Sequence, residues 1–172
     1  MTTAVLSIGS NLGDRLALLQ SAVDGLGAAV TAVSGVYETE AWGGVEQGPF
    51  LNAVLIVEDP GTDGRGWLRR AHELEQAAER VRAQRWGPRT LDVDVISCHH
   101  PGGREVRSGD PELTLPHPRA HLRGFVLTPW LAVDPQARLT VGERSCAVAD
   151  LLDELAPQER AGVALTDLVL QF

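Results

Sequence analysis

Residues 91–96 read LDVDVI, and that alternation permits little besides a β-strand. Successive side chains on a strand point to opposite faces. Asp92 and Asp94 therefore share one face, while Leu91, Val93 and Val95 share the other. Two carboxylates turned into one cleft repel each other unless a cation lies between them, and hard oxygen ligands suit Mg²⁺. Just upstream, RVRAQRWGPR brings Arg80, Arg82, Arg85 and Arg89 together with no acidic residue among them, in a chain of formal net charge -8. Taken singly, a D-x-D strand reads as a solvated face and a run of arginines as loop surface. Their adjacency across the Gly87-Pro88 turn favours a joint reading. Arginines beside a Mg²⁺ site complement a polyphosphate, so the segment points to metal–nucleotide phosphoryl transfer.

The rest of the composition narrows the chemistry. The chain contains no lysine, and all fifteen basic residues are arginine. That excludes the phosphate-binding lysine of a P-loop and the strand lysine of a protein kinase. Net acidity argues against general nucleic-acid binding, which depends on neutralising phosphates. At 172 residues, a single domain spanning 1–172 is expected, long enough to bury a proper core. MTTAVLSIGSN lacks the basic start of a signal peptide. Cys98 and Cys146 are far apart, with no paired-cysteine motif. A cytoplasmic protein with no membrane span and a monomer by default are the expectations.

Periodicity predicts the order of elements. Ala4–Ile8 is a buried strand, and Asp14 opens a helix with Leu16, Leu19, Val23 and Leu26 on one stripe, stopped at Gly27. Val30–Thr39 and Phe50–Val57 read as strands, Trp67–Glu79 as a helix packed on a sheet, and Leu91–Ile96 as the next strand. His99–Asp110 is expected to be a short hairpin turning at Gly102-Gly103. Leu115-Pro116-His117-Pro118 is expected to be extended. Gly124–Val133 reads as a short helix broken by Pro129, and Ala147–Leu155 as a helix ending near Pro157. The order β-α-β-β-α-β is that of an α+β, ferredoxin-like split β-α-β sandwich: an antiparallel sheet, both helices on one face, and additional C-terminal elements. Ser97-Cys98-His99-His100 is taken as hairpin surface rather than a soft-metal site, and His117 with His121 lacks the context of a zinc pair.

Five blocks in order then carry a resemblance. They are Ile8-Gly9-Ser10-Asn11-Leu12-Gly13, Tyr37-Glu38-Thr39, Phe50-Leu51-Asn52-Ala53, Arg80 to Asp94, and Leu115-Pro116-His117-Pro118-Arg119 with Arg123-Gly124-Phe125. Together they resemble the 6-hydroxymethyl-7,8-dihydropterin pyrophosphokinase family of folate biosynthesis. The resemblance implies transfer of pyrophosphate from ATP to the pterin's hydroxymethyl oxygen, with release of AMP. It implies that Asp92 and Asp94 hold two Mg²⁺ ions and that Arg80, Arg82 and Arg89 act on the phosphates. It places His72, Glu75, Trp86, His117 and Arg123 near ATP. Phe50 and Phe125 would sandwich the pterin, Asn52 would bond its edge, and Thr39 and Trp42 would complete the pocket. Without the resemblance, both phenylalanines would read as core packing. Asn52 differs, because an amide inside an apolar strand requires a partner.

Two departures from the family pattern stand out. Glu79 stands where the family commonly has glycine, and Trp42 where it has a smaller aliphatic residue; both bear on affinity rather than on the reaction. The loops Glu40–Gly48 and Val81–Arg89 are expected to close over the substrates, since the arginines of the second repel one another until phosphate arrives. The rival functions are a ferredoxin-like RNA- or protein-binding domain, which lacks paired sheet aromatics here, and a metal-dependent nuclease, which leaves the pterin-side blocks unexplained.

Overall fold

The computed structural model describes residues 2–40, 48–82 and 91–172, without the side chains of 80–82. Its first strand is β1, Thr2–Ser10. Asp14 accepts a hydrogen bond from the Ala17 amide at 3.1 Å, capping the helix α1 (Arg15–Leu26), which Gly27 ends at φ 57°. Next come β2 (Val30–Val33), β3 (Tyr37–Thr39), β4 (Phe50–Asp59), α2 (Gly64–Arg82) and β5 (Asp92–His99). The sheet runs β10-β3-β4-β1-β5, where β10 is Val163–Leu165, and β2 also pairs with β4. All these pairings are antiparallel. This is the ferredoxin-like order expected from the sequence.

The segment expected as one strand, Val30–Thr39, is two. Ser34 donates its backbone N–H to the Val54 carbonyl at 2.9 Å, and its hydroxyl accepts from the Val54 N–H at 2.9 Å. A side-chain oxygen thus stands in for a ladder carbonyl, and the chain steps out at Gly35 before pairing resumes at Tyr37.

Both sheet faces are covered. On one, Leu19, Val23 and Leu26 of α1 and Trp67 and Ala71 of α2 pack with Leu6, Ile8, Leu55, Val93 and Val95. Trp67 is fully buried, and its indole N–H donates to Thr2 Oγ1 at 2.8 Å, tying α2 to the start of β1. On the other face, α3 (Gly124–Val133) and α4 (Val148–Glu154) bring Val126, Leu127, Trp130, Val148 and Leu151 against Val5, Val54 and Ile96. The two split β-α-β helices share one face as expected, but the extra C-terminal elements make a third layer.

Pro129 does not break α3. It forgoes one hydrogen bond in the middle of a ten-residue helix, while Val126, Leu127 and Trp130 lock that helix onto the sheet. The hairpin expected over 99–110 is also different. His99 and Glu105 form only an isolated bridge around the Gly102-Gly103 turn, and the paired strands are β6 (Ser108–Asp110) and β7 (Leu113–Leu115). Ser97 and Cys98, expected on a surface, are buried inside β5. The remaining elements are the hairpin β8 (Arg138–Val141) with β9 (Arg144–Ala147) and the one-turn helix α5 (Pro157–Ala161). No helix among the described residues is long and apolar enough to cross a membrane.

Candidate active site

The site begins with register. Gly9 on β1 lies opposite Asn52 on β4 and opposite Asp92 on β5, and Ser7 lies opposite Asp94. Strand alternation turns all of these to the face that α3 and α4 cover. Those helices cover only part of it, and the uncovered end is a cleft of about 1340 Å³. Asp92 and Asp94 both line it, half-buried, while Leu91, Val93 and Val95 are packed in the opposite core layer. Glycine at position 9 keeps the floor low: a Cβ there would stand 3.1 Å from Asn52 Oδ1.

One wall is polar on Asn52. The Asn52 side chain is 3 % exposed, and its Nδ2 donates to Thr39 Oγ1 at 2.9 Å. Phe50 pairs with Thr39 across the strands and also lines the cleft. Arg15 of α1 holds the approach to this wall, donating to the Pro49 carbonyl at 2.8 Å and to Glu38 at 3.3 Å.

The facing wall starts where the 116–123 segment meets α3. Arg123 Nη1 lies 3.6 Å from Asp94 Oδ2, and its guanidinium sits 5.5 Å from the centre of the Phe125 ring. One residue thus joins a carboxylate to an aromatic surface inside the cleft. His117 donates its backbone N–H to the Ile96 carbonyl, so it is strung beside β5. Its Nδ1 accepts from the Arg119 amide at 3.1 Å, which leaves the ring proton on Nε2. Burial lowers the imidazole's pKa below the ordinary 6.5; Asp94 opposes that shift, and Arg123 and Arg119 add to it.

The third wall is one the sequence reading did not anticipate. Leu155, Ala156, Gln158, Glu159, Gly162 and Val163 all line the cleft. These residues carry no pattern near a motif, and only the folding back of α5 onto α3 brings them in. Ser7, Gly9, Arg119 and Leu122 were likewise not anticipated as cleft residues. Gly9 belongs to the first of the five blocks, where a glycine-bearing turn before a helix reads as strand–helix geometry.

The other expected residues fall elsewhere. His72 is exposed on α2, a helix on the far face of the sheet. Glu75 accepts a hydrogen bond from the Val93 N–H at 3.0 Å, so this carboxylate bonds the outer edge of β5. Trp42, Arg85, Trp86 and Arg89, and the side chains of Arg80 and Arg82, lie outside the described residues, as does nearly all of the two loops expected to close. His117 and His121 border a separate hollow of about 390 Å³ with Arg107, Thr114 and Thr140. Among the described residues no three His, Cys, Asp or Glu side chains cluster as a metal cage. The donor set of Asp92 and Asp94 is all oxygen, on one face and open to the cleft. It fits Mg²⁺, which binds through one or two carboxylates and completes its shell with water and substrate phosphate.

An antiparallel α+β sandwich with a carboxylate pair and an arginine beneath a cleft this large has the architecture of a phosphoryl-transfer enzyme. A profile of the 7,8-dihydro-6-hydroxymethylpterin-pyrophosphokinase (HPPK) family matches residues 5–135, and the chain belongs to that family. It is 62% identical over 177 residues to the 2-amino-4-hydroxy-6-hydroxymethyldihydropteridine pyrophosphokinase of Mycobacterium leprae, covering 100% of this chain and 93% of that protein. To the Mycobacterium tuberculosis protein of the same name it is 59% identical over 169 residues, covering 96% and 90%. The fold is also similar to a Plasmodium falciparum HPPK-DHPS solved with pterin and p-hydroxybenzoate, at TM-score 0.64 and 13% identity, covering 89% of this chain and 43% of that one. The chain is accordingly an ATP-dependent enzyme of folate biosynthesis that transfers pyrophosphate to the hydroxymethyl group of 6-hydroxymethyl-7,8-dihydropterin. The alternative of an RNA- or protein-binding domain without catalysis is not favoured.

Proposed function

We propose that the cleft over β1, β4 and β5 holds both substrates, the triphosphate at the Asp92–Asp94 end and the pterin between Phe50 and Phe125. The carrying observation is that Asp92 and Asn52 flank the same residue, Gly9, on neighbouring strands, with Asp94 two residues along opposite Ser7. A cleft of about 1340 Å³ exceeds the roughly 300–1,000 Å³ usual for one small ligand, which suits two ligands side by side. Asp92 and Asp94 would hold Mg²⁺, two ions when ATP is bound, and the metal would neutralise charge on the triphosphate. Arg123, stationed at Asp94 and over Phe125, is positioned to touch the phosphates and the edge of the pterin slot. Arg80, Arg82 and Arg89, with Trp86, are assigned to the phosphates and nucleotide, and His72, Glu75 and His117 to the nucleotide side.

In this reading the pterin's hydroxymethyl oxygen bonds to the β-phosphorus and releases its proton to solvent, as the bond from the β-phosphorus to the α–β bridging oxygen breaks and AMP leaves with that oxygen. Positioning and charge neutralisation carry such a displacement. Asn52 is held by Thr39 through Nδ2, which aims its remaining polar capacity at the pterin edge. Trp42 completes that pocket. We assign residues 1–172 to one domain, acting as a monomer in the cytoplasm. Separate calorimetric titrations of the Phe125→Ala enzyme test the division of the cleft: pterin affinity should fall at least tenfold, by loss of aromatic stacking, with Mg-ATP affinity kept within threefold. Equal losses for both ligands would reject it.

A further inference from the structure

Helix α3 begins at Gly124 without a cap of its own, since Arg123 at its N-cap offers no acceptor and its first turn has no acidic residue. A helix N-terminus leaves amide N–H groups without intrahelical partners. The missing acceptor comes from 35 residues downstream: Glu159 Oε1 accepts from the Gly124 N–H at 3.0 Å. We infer that Glu159 is a positioning residue for the reaction, fixing from α5 the turn that presents Arg123 and Phe125 to the cleft.

The two residues it would orient are its neighbours in chain and space. Arg123, one residue before the capped amide, reaches Asp94 at 3.6 Å, and Phe125, one residue after it, carries the ring under that guanidinium at 5.5 Å. The approach of α5 is close. A Cβ on Gly124 would stand 2.9 Å from the Glu159 carbonyl oxygen and 3.2 Å from Val163 Cγ2, so only glycine admits the contact. Glu159 belongs to the segment lining the third wall, which lies beyond residues 5–135, where the family profile matches. The device therefore adds to the matched site from outside it.

This inference rests on the assignment of Arg123 and Phe125 to the substrates, and the experiment separates the two. Steady-state kinetics, with melting temperature as a control, are measured for Glu159→Ala, Glu159→Gln, Gly124→Ala, Arg123→Ala and Phe125→Ala. Removing the acceptor with Glu159→Ala should raise the pterin KM about tenfold, the scale of one hydrogen bond, with a smaller change in kcat. Glu159→Gln keeps an oxygen that can accept from Gly124 and should restore KM to within about twofold of the parent. Gly124→Ala, which forces α5 outward while leaving the carboxylate in place, should reproduce the Glu159→Ala pattern. The inference is overturned if Glu159→Ala leaves the pterin KM unchanged while Arg123→Ala and Phe125→Ala raise it. It is equally overturned if Glu159→Gln is as impaired as Glu159→Ala, since charge rather than the capping acceptor would then matter. If Arg123→Ala and Phe125→Ala change nothing, the substrate assignment itself falls, and the positioning role falls with it.

Discussion

Asn52 is the buried amide of the proposed pterin slot. It is held by Thr39 on one side, and on the other Gly9 leaves the space that a Cβ would take from it. Asn52→Ala should weaken pterin binding by about 1–3 kcal/mol, the cost of leaving a buried polar edge unpaired, and leave Mg-ATP binding unaltered in the same calorimeter. At His117 the pKa is lowered chiefly by burial, so the folded value lies below the unfolded one. The neutral imidazole's contribution to stability is then present above about pH 6.5 and is lost as pH falls through the folded pKa. Its NMR titration midpoint should fall below 6.5, and His117→Gln should flatten the acid side of the stability–pH curve. A midpoint at or above 6.5 would contradict this placement. At the residue scale strand alternation made the shared face of Asp92 and Asp94 legible, and the amide inside an apolar strand made Asn52's need of a partner legible. Glu159 and Arg15 were not legible, because each acts through a contact tens of residues away.

Among elements, periodicity located β1, α1, β4, α2 and β5, and what it missed has local causes. The break between β2 and β3 rests on one hydroxyl, that of Ser34, which is 6 % exposed and accepts from Val54. No hydrophobic pattern encodes such a substitution of side chain for backbone. Ser34→Ala should destabilise the fold by about 1–3 kcal/mol through the unsatisfied Val54 amide, measured by urea unfolding; a loss under about 0.3 kcal/mol would mean that the amide finds another acceptor. Asp14→Ala should cost about 1 kcal/mol in the same assay by uncapping α1. Pro129 misled for the opposite reason. Its local preference is real, but burial of Val126, Leu127 and Trp130 against the sheet outweighs one lost hydrogen bond.

Across the whole molecule, the sheet divides labour between its faces. The α1–α2 side is a continuous apolar layer, while the α3–α4 side is apolar near Val5, Val54 and Ile96 and opens into the cleft toward Gly9 and Asp92. The five sequence blocks fall on the strands and turns around this end of the sheet, but the third layer that walls the cleft comes from residues 124–163, whose packing carries no local signature. The most direct test of the account is ³¹P NMR of the reaction with ATP and 6-hydroxymethyl-7,8-dihydropterin, comparing the parent enzyme with Asp92→Asn and Asp94→Asn. The parent should yield AMP and the pterin diphosphate. Each variant should turn over on the order of 100- to 1,000-fold more slowly, the scale for losing an electrostatic anchor of the transition state, with its melting temperature kept within a few degrees because both carboxylates face the open cleft. A folded Asp92→Asn or Asp94→Asn enzyme that formed AMP within a few-fold of the parent rate would contradict the account.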